Sequence, residues 1–321
     1  MIKRANEDPK NTEIDWEKVV KKVENTVVSI NIYANEDLSS PLGLGSGVII
    51  SEDGYIVTNN HVVSVGKSIV VTLNNNISYA AKVIGQDKET DIAILKINSK
   101  EKLTYATFNN SDLVQVGQNV LAMGNPLGLS QTATTGIVSA INRPVSANDE
   151  TGSLKSAVNA IQLDASINPG NSGGPLFDAN GNVIGITSSI ATLSSSGDAA
   201  GSIGLGFAIT GNQVAQVGSD LIKTGSAKHP FLGIKSRTST FKNGEIYITG
   251  ATIESVSSST PASRSGLRGG DVIIAIDGKD IVGSESLTAS IRERSVNEVV
   301  NIRIIRDGKT EVVPVQLGAK E

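Results

Sequence analysis

A glycine-rich segment, Gly170-Asn171-Ser172-Gly173-Gly174, places one serine hydroxyl among residues whose backbone can turn tightly. Successive N–H groups in such a turn can converge on one point, and this arrangement stabilises an oxyanion as it forms. Ser172 is therefore suited to attack a carbonyl carbon. Because a serine hydroxyl is a weak nucleophile on its own, the reaction also requires a base within hydrogen-bond reach.

Only two histidines are available to act as that base. His61 follows Thr58-Asn59-Asn60 at the end of an apolar run, whereas His229 precedes Pro230 and has no nucleophile motif near it. We predict that His61 is the general base and that His229 has no catalytic role. Since only the neutral imidazole can accept a proton, activity is expected to rise with pH as His61 is deprotonated.

Two aspartates between His61 and Ser172 could orient the imidazole. Asp91 begins an apolar strand, while Asp87 lies four residues earlier among polar residues. We therefore predict Asp91 as the acid, with Asp87 as the alternative, and we expect Asp164 to be a structural hydrogen-bonding residue. The order histidine, aspartate, serine disfavours an esterase of the α/β-hydrolase type, in which the histidine comes last.

The elements that must position these residues are mostly strands. A helix is predicted from Asp15, and another over Gln213–Thr224 with Gly225 as its stop. Turn-forming residues separate the strand patterns, which favours a barrel or sandwich. The predicted strands are Val27–Ile32, Ser46–Thr58, Ser68–Leu73, Tyr79–Ile84, Asp91–Ile97, Asn119–Met123, Thr135–Ile141, Asn159–Leu163 and Asn182–Ser188.

A second, smaller unit follows the helix that ends at Gly225. It contains a predicted helix from Ser284 and a hairpin that turns on Asp307-Gly308, a strong two-residue turn signal. We therefore divide the chain into a polar N-terminal tail (1–14), a first domain (15–225) and a second domain with a short C-terminal tail (226–321).

Composition excludes several classes of function. With a net charge of −4 and a pI near 5.4, the 321-residue chain lacks the basic excess of nucleic-acid-binding proteins. The absence of cysteine excludes disulfides and thiolate metal sites, and no cofactor is predicted. No stretch approaches the roughly 20 apolar residues needed to span a bilayer.

The serine, histidine and aspartate motifs, with several others in the same order, resemble those of the HtrA family of trypsin-like serine proteases with one C-terminal PDZ domain. The resemblance implies a mostly β, chymotrypsin-like double β-barrel followed by a small α+β PDZ domain. The motifs that carry it are Gly45-Ser46-Gly47-Val48-Ile49, Thr58-Asn59-Asn60-His61-Val62-Val63, Thr90-Asp91-Ile92-Ala93, Gly124-Asn125-Pro126-Leu127-Gly128, Thr135-Gly136-Ile137-Val138-Ser139, Asp164–Gly174 and Gly204-Leu205-Gly206-Phe207-Ala208-Ile209.

The resemblance also implies roles for individual residues. It makes Ser172 the nucleophile, His61 the base and then acid, and Asp91 the residue that orients the imidazole. The implied oxyanion hole comprises Gly170, Asn171 and Ser172, and the implied specificity pocket comprises Ile167, Ile190 and Leu205. Arg143 stands where the family has an arginine in an activation-sensing loop. The implied carboxylate-binding loop of the PDZ domain is Phe231-Leu232-Gly233-Ile234.

The expected function is that of a serine endopeptidase acting in protein quality control or the stress response on misfolded or regulatory proteins. It would cleave after small or medium apolar residues, and the PDZ domain would bind C-terminal peptides. A homotrimer in the cell envelope is expected, with a membrane tether outside this sequence. The alternative is a binding or holding protein that uses the PDZ groove while the protease site is silent.

Overall fold

The computed structural model describes residues 14–125, 131–148, 154–168, 170–188, 204–243 and 245–320. Strands β1 to β6 close into a barrel in the order β1-β2-β3-β6-β5-β4, with fully buried Ile30, Ile56 and Leu95 in its interior. Its strands are β1 (Val27–Tyr33), β2 (Gly43–Ile49), β3 (Tyr55–Asn59), β4 (Ser68–Thr72), β5 (Ser78–Asp87) and β6 (Ile92–Ile97).

Strands β7 to β12 close into a second barrel in the order β10-β11-β12-β9-β8-β7. Leu163, Leu176 and Ala208 belong to its core and are fully buried. The two closed barrels agree with the architecture expected from the resemblance. The strands are β7 (Asn119–Gly124), β8 (Thr132–Asn148), β9 (Leu154–Leu163), β10 (Pro175–Asp178), β11 (Val183–Ser188) and β12 (Gly206–Thr210).

Three α-helices lie among the described residues of this part of the chain. The Asp15 side chain caps α1 (Trp16–Val23) by accepting a hydrogen bond from Lys18 N at 3.0 Å. Helix α2 (Asn60–Val63) is a single turn after β3, and α3 (Gly211–Thr224) ends at Gly225 with a φ of 76°. The predicted helix at Asp15 and the stop at Gly225 are thus confirmed.

Two details differ from the sequence-based prediction. The span Ser46–Thr58 is not one strand but the hairpin β2–β3, which turns at residues 51–54. Gly54 has a φ of 97°, and a Cβ there would lie 2.7 Å from Ile97 O, so only glycine fits this turn. Strands β10 and β12 were not predicted, because both are short and stand beside glycine-rich segments.

Most of the remaining elements form a smaller sheet flanked by helices, in the strand order β14-β15-β16-β18-β19, with β17 paired to β16. Strands β13 and β20 pair separately. The predicted β18–β19 hairpin is confirmed, and its turn residues Asp307 and Gly308 have φ values of 50° and 76°. The elements are β13 (Pro230–Phe231), β14 (Ile234–Asn243), β15 (Ile246–Val256), α4 (Pro261–Arg264), β16 (Val272–Ile276), β17 (Lys279–Asp280), α5 (Ser284–Arg292), β18 (Val299–Arg306), β19 (Lys309–Gln316) and β20 (Gly318–Ala319).

Helix α5 of the smaller unit packs against β8 and β9 of the second barrel. Charged side chains reach from this unit to the first barrel as well, since Glu89 pairs with Arg292 at 2.8 Å and with Lys320 at 2.5 Å. Although burial raises the pKa of Glu89, the hydrogen bond from Lys320 and the charge of Arg292 bring it below its ordinary value. Within the described residues, no helix is both long and apolar enough to cross a bilayer.

Candidate active site

His61 and Asp91 lie in direct contact. The imidazole Nδ1 is 2.8 Å from Asp91 Oδ2, and the His61 backbone N–H donates to Asp91 Oδ1 at 2.9 Å. The Asp91 side chain is 7% exposed and the His61 side chain 32%. Because a carboxylate can only accept hydrogen bonds, Nδ1 carries the proton and Nε2 keeps a lone pair for a reacting group.

The backbone around Asp91 is shaped to make this contact. Asp91 stands immediately before β6 with a φ of 60°, a left-handed conformation that aspartate tolerates better than most residues. Its carbonyl oxygen accepts hydrogen bonds from Asn60 N at 3.1 Å and Asn59 Nδ2 at 3.0 Å. These bonds join the start of β6 to the end of β3, where the helical turn with His61 begins.

Ser188 contributes a further contact that the sequence did not reveal. Its hydroxyl donates to Asp91 Oδ2 at 3.3 Å. Ser188 ends β11 in the second barrel, whereas Asp91 belongs to the first, so the carboxylate is held from both sides of the cleft. Nothing in the residues around Ser188 marks it, and only the closure of the two barrels brings it to Asp91.

The Ser172 segment packs against the end of β3, close to the turn that carries His61. A Cβ on Gly173 would lie 2.2 Å from Thr58 Oγ1 and 3.2 Å from Asn59 N. Gly173 also has a φ of 84°, so both the close approach and the backbone conformation require glycine. Ser172 itself is 4% exposed. The Ser172 segment therefore packs against Asn59, which precedes His61 by two residues.

Asn171, which the resemblance includes in the oxyanion hole, already makes a backbone hydrogen bond. Its backbone N–H donates to Asn168 O at 3.0 Å, so its single proton is already engaged. Gly170 and Ser172 remain the predicted donors. Gly170 has a φ of 95°, a conformation that is strained for residues with a side chain.

The predicted specificity pocket is only partly within the described residues. Ile167 is 7% exposed, Leu205 is half-buried, and Ile190 lies outside the described residues. A Cβ on Gly206 would meet Ile167 Cγ1 at 2.7 Å, so these two residues touch. The Ile167 side chain therefore lies against the backbone next to Leu205, and the pocket assignment stays a prediction.

Asp164 contacts β8, and Arg143 lies within it. The carboxylate Oδ1 of Asp164 accepts from Ile137 N at 2.7 Å, which is the structural role predicted for it. The resemblance placed Arg143 in a loop, but the structure has it within β8, exposed and opposite Ala160. It follows Asn142, whose φ is 53°, at an irregularity of the β8–β9 pairing. Its regulatory role stays a prediction.

Asp87, the alternative acid, is bound elsewhere. Its Oδ1 lies 2.9 Å from His229 Nε2, and its Oδ2 accepts from Thr90 N at 3.2 Å and from the Thr90 hydroxyl. Burial alone would raise the pKa of Asp87, but hydrogen bonds from His229 and Thr90 outweigh it and bring the pKa below its ordinary value. His229 is thus a structural partner that binds the segment leading to Asp91.

The Phe231–Ile234 segment borders a groove of about 220 Å³ between β14 and α5. Leu287 and Ile291 of α5 form its apolar side, and Arg292 stands among its lining residues. Gly233 has a φ of 88°, and a Cβ there would lie 2.2 Å from Thr260 Cβ. The groove is also lined by Glu89 and Lys320, and carboxylate binding by 231–234 stays a prediction.

Comparison with known proteins gives two domain matches. Residues 45–186 match the trypsin-like peptidase domain, and residues 211–317 match the PDZ domain. Together with the two six-stranded barrels, these matches confirm the predicted fold class, which is mostly β and chymotrypsin-like with a PDZ domain after it.

Curated relatives and solved structures cover nearly the whole chain. A probable periplasmic serine endoprotease DegP-like of Chlamydia trachomatis is 42% identical over 277 residues, which are 84% of this chain but 53% of that protein. The chain thus spans about half the length of the DegP-like relatives. The serine protease Do-like HtrA of Lactococcus lactis is 36% identical over 342 residues, covering 96% of this chain and 83% of that protein.

The solved structure of the HtrA-type protease AlgW with tripeptide superposes with a TM-score of 0.72 at 34% identity, covering 96% of this chain and 98% of that one. The similarity to these proteins, in sequence and in structure, therefore extends over both barrels and the smaller sheet. The chain belongs to the HtrA family of trypsin-like serine proteases that carry a PDZ domain.

Proposed function

We propose that the protein is a serine endopeptidase that uses Ser172, His61 and Asp91. The observation that carries this proposal is the 2.8 Å contact between His61 Nδ1 and Asp91 Oδ2, made beside a glycine-flanked serine. That contact leaves Nε2 as the basic nitrogen, and the Ser172 segment packs against the element that holds the imidazole. The relatives named as a serine endoprotease and as a serine protease support the same activity.

The proposed reaction proceeds through an acyl-enzyme. The Ser172 hydroxyl attacks the scissile carbonyl carbon while His61 Nε2 takes its proton. The resulting oxyanion is stabilised by the N–H groups of Gly170 and Ser172. As the C–N bond breaks, His61 returns the proton to the leaving amine, and water then releases the acyl group by the reverse sequence.

Asp91 acts on the imidazole rather than on the substrate. It holds the ring in the tautomer that exposes Nε2, and it stabilises the imidazolium that forms during attack. Two donors from His61 and one from Ser188 orient its carboxylate. The imidazole therefore needs little rearrangement as the reaction proceeds.

Cleavage is expected after valine, alanine, isoleucine or similar residues, because Ile167 presents an apolar surface next to Gly206. Replacing Ile167 with alanine should enlarge the pocket and shift cleavage toward leucine and methionine, by about 10- to 100-fold in relative kcat/KM. Mass spectrometry of a digested peptide library measures the shift. Preferred cleavage after lysine or arginine by the unaltered protein would contradict the assignment.

Ile184→Ala is the matched control for that experiment. Ile184 is 1% exposed and belongs to the same hydrophobic cluster as Ile167, but it lies on β11 and borders α3. It should lower stability by about 2–5 kcal/mol without changing the residue preferred before the scissile bond. An equal shift of preference in both variants would mean that general loosening, and not the pocket, sets selectivity.

The PDZ groove is proposed to bind C-terminal peptides by adding a strand beside β14, with the terminal carboxylate held by N–H groups of the 231–234 segment. A fluorescent peptide with a free apolar C-terminus should bind at least about tenfold more tightly than its C-terminal amide, because the amide removes the charge that these donors recognise. Fluorescence anisotropy measures both affinities.

Gly233→Ala should abolish this binding, because it combines a positive φ with a contact at 2.2 Å from Thr260. Gly266→Ala is its control, since Gly266 has a φ of 76° but a Cβ there would meet nothing within 4 Å. Equal affinity of the acid and the amide would contradict carboxylate recognition, as would unchanged binding by Gly233→Ala.

The division of the chain into a protease domain (15–225) and a PDZ domain (226–321) belongs to the same proposal. The proposed substrates are misfolded or regulatory proteins. The proposed location is extracytoplasmic, like that of the periplasmic relatives. The proposal also includes a homotrimer and a membrane tether outside this sequence. Occupancy of the PDZ groove is proposed to shift the protease between inactive and active states, with Arg143 as a sensor.

The groove also favours a second candidate, a binding or holding protein with a silent protease site. A single variant distinguishes the two candidate functions. Ser172→Ala removes only the nucleophile, so a holding function would survive it whereas hydrolysis would not.

A further inference from the structure

Ser46 is a buried polar residue that the mechanism above does not use. It lies in β2 of the first barrel and is 0% exposed. A buried hydroxyl is costly unless it is hydrogen-bonded. The partners of Ser46 therefore indicate what the residue does, and two of the four, Gly170 and Ser172, belong to the segment that carries the nucleophile.

Four hydrogen bonds converge on Ser46. Its hydroxyl donates to Gly170 O at 2.7 Å and accepts from Asn125 N at 2.8 Å. Its backbone N–H donates to Ser172 O at 2.9 Å, and its carbonyl oxygen accepts from Thr58 Oγ1 at 2.7 Å. Since Asn125 N–H occupies a lone pair of the hydroxyl, the single hydroxyl proton is directed to Gly170 O.

These bonds hold the Ser172 segment at two points. Gly170 O lies between the two proposed oxyanion donors, Gly170 N and Ser172 N, and Ser172 O follows the second. Because peptide units are planar, fixing these oxygens restricts the rotation of the two units that adjoin the donors. Glycines at 170 and 173 give the segment little conformational preference of its own, so its geometry depends on such contacts.

We propose that Ser46 is a positioning residue whose hydroxyl, by holding Gly170 O and Asn125 N together, aligns the Gly170–Ser172 backbone for oxyanion stabilisation. This rests on the proposed function of Ser172. The Ser46 hydroxyl, on β2 of the first barrel, is hydrogen-bonded to the end of β7 and to the serine segment, which both belong to the second barrel. The carboxylate of Asp91 orients the base, and Ser46 correspondingly orients the oxyanion donors.

The test is Ser46→Ala, assayed with a chromogenic peptide substrate and with a peptide boronic acid, whose tetrahedral adduct places an oxygen at the oxyanion position. We expect kcat to fall about 10- to 100-fold, since loss of one oxyanion donor costs about 10²–10³ and misalignment costs less. Boronate affinity should fall in proportion. KM and the pH midpoint of activity should stay unchanged, because neither the binding cleft nor His61 is altered.

Ser29→Ala is the matched control. Ser29 lies directly opposite Ser46 on β1 and is 1% exposed, and its hydroxyl has no hydrogen-bond partner within the part of the chain that the structure describes. The variant removes an equivalent buried hydroxyl from the same pair of strands. We expect its kcat and boronate affinity to equal those of the unaltered protein.

Ser46→Cys keeps the experiment decisive if Ser46→Ala does not fold. The thiol fills a similar volume but donates weakly, so kcat should lie between those of the serine and alanine forms while the folded fraction, followed by calorimetry, is retained. Unchanged kcat in either folded variant would overturn the proposal. So would a loss of kcat that equals the loss of folded protein, or one that Ser29→Ala reproduces.

Failure of the inference and failure of the proposed function give different results. If Ser172→Ala remains active, the function itself is wrong. If Ser172→Ala is inactive and folded Ser46→Ala is fully active, only the role of Ser46 is wrong.

Discussion

Replacing Ser172 with alanine is expected to lower kcat for peptide hydrolysis by on the order of 10⁶, because the covalent route through the serine is lost as a whole. Cleavage of casein and of a chromogenic peptide, both normalised to folded protein, measures the effect. Peptide binding in the groove between β14 and α5 should be unaffected, since the substitution lies in the barrel domain.

Ser166→Ala serves as the control for that loss. Ser166 is an exposed serine six residues earlier on the same connection between β9 and β10. Its removal should leave casein cleavage unchanged. If Ser172→Ala cleaved as fast as the unaltered protein, the proposed nucleophile would be wrong, and if both variants lost activity equally, the loss would reflect damage to the segment.

Replacing Asp91 with asparagine is expected to lower kcat by about 10⁴. The asparagine amide can donate to Nδ1, which favours the tautomer with its proton on Nε2, where the base is needed. Steady-state kinetics across pH 6–9 measure the loss. A rate within tenfold of the unaltered protein would contradict the orienting role assigned to the 2.8 Å contact with His61.

Asp87→Asn is the matched control, because Asp87 precedes Asp91 by four residues and binds His229 instead of His61. It should keep kcat within about tenfold but lower the free energy of unfolding at neutral pH by about 3 kcal/mol, since it leaves His229 without its carboxylate partner. Thermal unfolding across pH measures the change. A loss of kcat as large as that of Asp91→Asn would reassign the acid to Asp87.

The pH dependence of that control follows from the lowered pKa of Asp87. A carboxyl whose pKa is depressed in the folded state contributes stability above its unfolded pKa, and this is lost as pH falls through the folded value. The stability difference between the unaltered protein and Asp87→Asn should therefore be full at neutral pH and shrink below about pH 4. A constant difference down to pH 2 would contradict the assignment of the pair.

The sequence predicted those parts of the molecule that local chemistry determines. A glycine-flanked serine, a histidine after an apolar run and an aspartate opening a strand are each recognisable within a few residues, and the structure brings His61 and Asp91 together. The β18–β19 hairpin was likewise predictable, because Asp307-Gly308 fits the turn by itself.

Contacts between distant segments could not be predicted in this way. Ser188 meets Asp91 from 97 residues away, and His229 meets Asp87 from 142 residues away. The first contact depends on the closure of the two barrels, and the second on the docking of the smaller unit against the first barrel. The hydrogen bond from Asn171 N–H to Asn168 O likewise depends on the path of the chain, which residue types alone do not define.

The most direct test of the account is labelling by a fluorophosphonate probe, with and without a peptide that has a free C-terminus, followed by mapping of the labelled residue. Covalent modification should occur at Ser172, should be lost in His61→Ala, and should become faster when the peptide is present. Labelling at another residue, or none at Ser172 under either condition in folded protein, would show that no activated serine exists at this site.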